Sequence, residues 1–367
     1  MHRANNIVKR ILFLLFLSGS CFALHSKAQS VYVAGFENNL YNDVNVSVAR
    51  YWKDGTPVSL TDGKLDAYCK SVFVADGNVY MAGSITNAEG SNQPVYWVNN
   101  SAVVLNSATA SAFANSVYVK NGLVCVSNES NGWKPVETHY WFNNTPVSLK
   151  QDNAIIAVKS VFIGDDKSVY ATGTRIIGKG DGFIYPVAAY WKDGKEILLA
   201  EKNHESLGQS IFVSDKDVYV AGYETSVAAN GNYVEGYVAT YWKNGKAFHL
   251  SEKTKTNYAT SVFVANGDVY VAGYERQIET GKDIAKYWKN GEEFRLTDGT
   301  FHGRANAIFV HQTDVYVAGE INPEPDIMKL ATSETGINKI AVYWKNGKLV
   351  ALTDKKFDAS AAGIFVQ

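Results

Sequence analysis

Apolar residues in this chain fall in short blocks closed by Gly, Asn or Asp, and the same blocks return from Ser30 to Gln367. One copy reads Ser261-Val262-Phe263-Val264, then Ala265-Asn266-Gly267, then Asp268-Val269-Tyr270-Val271-Ala272-Gly273. Thirteen variable residues lead on to Tyr287-Trp288-Lys289, Asn290-Gly291 and Glu292-Glu293-Phe294-Arg295-Leu296. The blocks are β-branched or aromatic and bounded by turn residues, so each copy predicts four short strands, named a, b, c and d. Strands a and b are apolar on both faces, as at Val262, Phe263 and Val264. A strand covered on one side alternates, and one covered on both sides does not. Each sheet is therefore expected to stack face to face between two others.

The strand-c tryptophans Trp52, Trp97, Trp141, Trp191, Trp242, Trp288 and Trp344 recur at intervals of 44 to 56 residues, the period of a repeat architecture. From each Trp to the Leu of strand d is always eight residues, and from that Leu to the first apolar residue of the next strand a always twelve. Only the b–c connection drifts, from eleven residues (129–139) to twenty-three (320–342). Fixed lengths imply packed backbone and variable ones surface loops. Asn-Gly or Asp-Gly joins strands c and d in five copies, and Asn99-Asn100 and Asn143-Asn144 do so in the others. Two-residue hairpins need this chemistry, because both central residues take positive φ.

The repeats begin with a strand b (Ser30 to Gly35) and end with a strand a (Gly363 to Gln367). The two fragments complement each other. The expected fold is all-β: a seven-bladed β-propeller of four-stranded antiparallel blades, residues 29–367 forming one domain. The C-terminal strand a joins the N-terminal strands b, c and d to close the ring and remove two exposed sheet edges.

Residues 1–28 read as a signal peptide. Arg3, Lys9 and Arg10 precede an apolar stretch from Ile11 to Leu17, and Ser26-Lys27-Ala28 offers small residues for cleavage before Gln29. A competing reading is lipid attachment at Cys21, although Leu17 sits one place too far upstream for a good acceptor motif. No other apolar run is long enough to span a membrane, so an exported protein is expected, in the periplasm, at the cell surface or outside. Loss of Arg3, Lys9, Arg10 and Lys27 takes the net charge from −1 to −5, which argues against nucleic acid or an anionic membrane as partner. Cys69 and Cys125 fall in different blades and are read as separate buried thiols.

Little in the chain signals chemistry. His139, His204, His249, His302 and His311 show no metal-ligand spacing, so no metal or other cofactor is expected. His139 and His249 are placed at blade surfaces; His204 and His302 fall in d–a connections. Asp62, Asp298 and Asp354 recur in Leu-Thr-Asp runs and are read as turn residues bonding their own backbone. Gly178 to Gly182 lacks the strand and helix of a phosphate cradle. Pro323, Glu324, Pro325 and Asp326 are too few acids for a calcium loop.

Aromatics that the repeat does not require are more informative. Trp133, Tyr41, Phe183, Tyr185, Tyr233 and Tyr237 fall in b–c connections, which emerge together on one face. Exposed aromatics stack on sugar rings or anchor a protein partner; the alternative is that they fold back over the blade edges. A second candidate is a polar column at the start of strand a: Lys70, Asn115, Lys159, Gln209, Thr260, Asn306 and Ala362. It precedes a column of small residues, Ser71 to Gly363. Lys70 and Lys159, with nearby Arg304, could line a central mouth and receive an anionic group; the alternative is a water-filled channel.

The pattern resembles kelch and related propeller repeats, which carry a Gly-Gly doublet after strand b and then a Tyr and a Trp. Here the doublet is Ala-Gly in five copies, Thr172-Gly173 in one and Ser127-Asn128 in another, and Tyr and Trp are adjacent. The resemblance extends to exported bacterial propeller-repeat proteins and implies a fold but no activity. Two functions follow as expectations. One is a non-enzymatic binding or scaffold module that meets a protein or glycan through the b–c face. The other is a carbohydrate-active hydrolase or lyase whose site residues, such as His204, Glu205, His302 and Arg304, converge from different blades.

Overall fold

Every repeat forms one four-stranded antiparallel sheet in the computed structural model, which describes residues 29–105, 111–130, 139–149, 155–178, 184–200, 205–227, 233–252, 254–323 and 338–367. Blade 1 runs a to d as Ala67–Ala75, Asn78–Thr86, Asn92–Val98 and Ser101–Val104. Blades 2 to 6 follow in chain order. Blade 7 combines strand a at Ala359–Val366 with Val31–Tyr41, Val44–Lys53 and Thr56–Ser59. Each strand a touches the strand a of the next blade, and that of blade 7 touches that of blade 1, so the ring is closed. The closing pair runs in register from Val31↔Val366 to Glu37↔Ala359. Ser30 and Gln367 exchange backbone hydrogen bonds of 2.8 and 3.1 Å beyond its end.

The Tyr-Trp-Lys-Asn-Gly run has a mechanical reading at almost every letter. All seven Trp are at most 1% exposed, each wedged between two sheets where it dominates the local packing. The Lys lies over the strand-b Tyr ring in five blades, for example Lys289 at 5.4 Å from the Tyr270 centroid, and Lys289 also pairs with Asp268 at 2.8 Å. The Asn or Asp takes positive φ, as at Asn290 (50°). Its side-chain oxygen also accepts from a backbone N–H at the start of strand b, as from Val269 at 2.9 Å. Gly lacks this second bond, which explains why the first turn position is always Asn or Asp.

Strand a is longer than its apolar block predicts. In blade 5 it starts at Thr256, five residues before Ser261, so the inner strand absorbs much of the d–a connection. The extension passes through a β-bulge in six blades, where one residue is left unpaired: Lys70, Lys159, Gln209, Thr260, Asn306 and Ala362. These are the polar column, which therefore lies within strand a and not at its start. The bulge also explains the Gly of the Ala-Gly doublet. A Cβ on Gly273 would stand 2.0 Å from the Tyr258 carbonyl oxygen, and on Gly83 1.8 Å from that of Tyr68. Blade 2, which carries Ser127-Asn128 instead, has no such bulge; its strand a is split into Ala112–Phe113 and Val117–Lys120.

The b–c connections are mostly extended hairpins. In blade 7 the pairing continues to Tyr41↔Val44, leaving only Asn42 and Asp43 as a turn. Cys69 and Cys125 are buried and free.

Candidate functional site

The inner strands run from the b–c face to the opposite face, so their residues form successive layers about the axis. In blade order the outermost layer is Tyr68, Phe113, Ala157, Leu207, Tyr258, Arg304 and Ser360. The bulged residues come next, and on one side they form a network across three blades. Lys70 Nζ donates to Asn115 Oδ1 at 2.9 Å, and Asn115 Nδ2 donates to Glu129 Oε2 at 2.8 Å. Lys159 Nζ meets both Glu129 oxygens at 2.6 and 2.7 Å. Lys70 also lies 4.8 Å from the Phe113 ring centroid. Burial pushes the Lys70 ammonium down to about 8; the Glu129 charge opposes the shift and the Lys159 charge adds to it. Lys70, Asn115, Lys159 and Gln209, with Phe36, Tyr68 and Ala362, line a cavity of about 300 Å³.

Beneath this layer the small column joins the blades. Ser71, Ser116, Ser160, Ser210 and Ser261 each accept, through Oγ, a backbone N–H of the next blade at 3.2 to 3.5 Å. Two residues further along lies a closed girdle of seven aromatic rings: Phe73, Tyr118, Phe162, Phe212, Phe263, Phe309 and Phe365. Neighbouring centroids are 4.2 to 5.2 Å apart all the way round. Centroids so spaced stand roughly 5 Å from the axis, and the rings' own width leaves an opening on the order of one water molecule. The channel is thus blind, open on the b–c face and floored by aromatics.

A second concentration of charge sits on the same face between blades 5 and 6. Asp283 is fully buried and accepts from Arg276 on its own blade and from Arg304 Nε of the next blade, the latter at 2.6 Å. His302 Nδ1 accepts the Asp283 backbone N–H at 3.0 Å. Burial holds the His302 imidazole below its usual range; Asp283 opposes this, and Arg276, Arg304 and Lys282 reinforce it. His302, Arg304, Asp283, Glu320, Asn322 and Lys339 line a cavity of about 340 Å³. Arg304 also covers the Tyr274 ring at 4.9 Å. Tyr274 stacks on Tyr258 at 4.8 Å, and Tyr258 meets Tyr223 and Tyr237 at 4.9 and 5.4 Å, giving an aromatic cluster beside the channel mouth.

Among the residues singled out in the sequence, Lys70 and Lys159 face one cavity, and Arg304 lies in the neighbouring one, tied to Asp283. Tyr237 belongs to the tyrosine cluster and Tyr41 is exposed at the tip of its hairpin. Tyr185 and Tyr233 lie on strand c of blades 3 and 4. Trp133, Phe183 and His204 lie outside the described residues. Glu205 precedes strand a of blade 4, two blades from His302, and its carbonyl accepts from Thr225. His139 is not at a blade surface: it is 1% exposed, and its Nδ1 accepts the Leu149 N–H at 3.0 Å, so it is a packed framework residue. Asp62, Asp298 and Asp354 accept from the backbone N–H two residues on, as turn residues do. Sequence reasoning missed Glu129, Asp283, Tyr258 and the girdle. The girdle did leave a signal, an aromatic at the third position of every inner block. Glu129 and Asp283 lie in connections whose lengths vary, where alignment to the repeat gives no guide. Among the described residues no cluster of metal-ligating groups is present and no helix is long and apolar enough to cross a membrane.

No family model and no curated protein matches the chain. Solved structures do. It is similar to the β-propeller domain of the Trilobed protease from Pyrococcus furiosus, at 13% identity over 89% of this chain and 95% of that one, with a TM-score of 0.44. Pyrococcus horikoshii acylaminoacyl peptidase matches at 13% identity over 89% of this chain and 51% of that one, TM-score 0.43, so the chain spans about half that peptidase. Levansucrase from Bacillus subtilis matches at 8% identity over 79% and 85%, TM-score 0.37. Likeness at such identity concerns the fold, and function must be argued from the face just described.

Proposed function

We propose that this chain is an exported, non-enzymatic, kelch-like propeller that binds a glycan through its b–c face. The observation that carries the reading is the cluster of Tyr223, Tyr237, Tyr258 and Tyr274 beside the channel mouth, with Arg304 over Tyr274. Flat aromatic faces flanked by fixed polar groups suit sugar rings, which offer apolar C–H faces and hydroxyl edges. The nearby polar groups are bound to one another: Asp283 is held by Arg276 and Arg304, and Glu129 by Lys159 and Asn115. Groups held in place in this way orient a ligand well.

The carbohydrate-active enzyme remains as a second reading because of one observation, the His302 imidazole in a polar cavity beside Asp283, Arg304 and Glu320. A glycan array probed with residues 29–367, and again with Tyr258→Ala, tests the first reading. Capture that is lost in the variant supports it, and unaltered capture removes the cluster from the site. Breakdown of a bound glycan during incubation, abolished by His302→Ala, would establish the second. Secretion is checked by intact mass: the exported protein is expected to begin at Gln29.

A further inference from the structure

We propose that the blind axial channel receives the terminal acidic sugar of a glycan, a uronate whose carboxylate is held by Lys70. This rests on the binding role proposed above and names the ligand class. The channel has three layers that together specify such a group. Its mouth carries Tyr68, with Phe36 packed edge-on against it at 5.1 Å, and Phe113 and Tyr258 in the same layer of inner-strand residues. These offer faces for a ring arriving end-on. The next layer carries cation. Its floor is the aromatic girdle, which stops a chain from threading through, so only a terminus fits. The cavity, about 300 Å³, is at the small end of ligand sites, suited to one sugar ring.

The charge balance of the wall is what selects an acid. Lys70, Lys159 and Glu129 sum to one positive charge. Glu129 is engaged by Lys159 through both oxygens. Lys70 gives one ammonium proton to Asn115 and has no carboxylate within ion-pairing distance among the described residues. An ammonium carries three donors, so two remain without a hydrogen-bond acceptor among the described residues, beside the Phe113 ring. The Asn115 amide cannot turn round to relieve this. It accepts from Lys70 and donates to Glu129, and reversing it would face donor to donor and acceptor to acceptor. On the opposite wall Gln209 adds a neutral polar group, itself bonded to the Tyr223 hydroxyl. A carboxylate set against Lys70 would complete a charge-assisted pair in a recess walled by protein, where such bonds are stronger than in open solvent.

Titration calorimetry on residues 29–367 with a glucuronate-terminated disaccharide, its methyl ester and inorganic phosphate tests this. The acid is expected to bind, and the ester, which lacks the charge and adds one methyl group, at least tenfold more weakly. Lys70→Met is expected to reduce acid binding to the level of the ester. Gln209→Glu, nearly isosteric, is expected to weaken the acid tenfold or more by repulsion, and it decides the matter if Lys70→Met fails to fold. Equal binding of acid and ester, or phosphate binding as tightly as the acid, overturns the proposal. Neutral glycans captured on the array without any uronate binding also overturn it, while leaving the broader binding role intact. No capture of any glycan refutes both.

Discussion

The Ala-Gly doublet gives the most direct test of how the inner strands are built. At Gly273 an added methyl would lie 2.0 Å from the Tyr258 carbonyl oxygen and 2.9 Å from Trp288 Cζ3. Neither neighbour can retreat. The carbonyl belongs to a bulged backbone paired on both sides of the defect, and the indole is clamped between blades. Gly273→Ala must therefore flatten the bulge or part strands a and b, at a cost of about 3 kcal/mol or more, the top of the usual range for overpacking in a well-filled core. The control is Gly291→Ala in the c–d hairpin. Gly291 has φ of 89° and nothing within 4 Å of its would-be Cβ, so only the backbone conformation is penalised, about 1–2 kcal/mol. Chemical denaturation of the two variants should separate them by about 1 kcal/mol or more. Equal destabilisation would refute the carbonyl contact as the reason for the doublet.

Deleting residues 361–367 removes the buried Ile364 and Val366 and the ring contacts of Phe365 with Phe73 and Phe309. Those losses alone reach about 5 kcal/mol or more, and they also leave strand b of blade 7 as an open edge. Size-exclusion chromatography should show aggregate, and an unchanged monomer with unchanged melting would contradict the closure. Lys70 should make the ring more stable as pH rises. Its folded value, about 8, lies below the ordinary 10.5, so between these limits the unfolded chain holds the proton more often and stability increases upward through the window. The gain is at most about 3 kcal/mol and nearer 1–2 after allowance for the channel's water. Denaturation at pH 8 and pH 9.5 should show the slope in the wild type and lose it in Lys70→Met.

The sequence was most legible where one physical constraint recurs in every copy. Seven tryptophans at a constant distance from strand d, and turns that demand positive φ, left a signal that survives neighbouring variation. Matching half-repeats at the two ends announced the closure. The bulge was not legible, because the residues it displaces share no common type, running from Lys to Ala, while the Gly that accommodates it also suits a turn. The polar column was visible as composition, yet its place inside strand a depends on register. Pairings such as Glu129–Lys159 and Asp283–Arg304 join residues 21 or 30 positions apart on different blades, and no local pattern predicts which charges will meet.

Blade 2 departs furthest from the repeat, and it supplies Glu129, the carboxylate bonded to Asn115 and Lys159 of the channel wall. Without a Gly at position 128 the strand-a bulge has no room, so strand a breaks between Phe113 and Val117. Ser127 Oγ then accepts from Ser116 N–H at 3.0 Å and donates to the Lys159 carbonyl at 3.2 Å, joining blades 2 and 3 at the break. This rearrangement lets Glu129 pair with Phe113 and extend its carboxylate toward Asn115 and Lys159. If the channel holds an anion, Glu129 limits its affinity by setting the wall at one positive charge instead of two. Glu129→Gln keeps the shape and should strengthen binding of the acidic disaccharide about tenfold at pH 6, where Lys70 stays protonated. The gain should shrink by pH 8, because the Glu129 charge supports the Lys70 ammonium and its removal lets the proton leave sooner. Calorimetry at the two pH values reads both effects. Weaker binding at pH 6 would mean that Glu129 itself contacts the ligand, and the wall would then have to be reassigned from a balancing charge to a binding group.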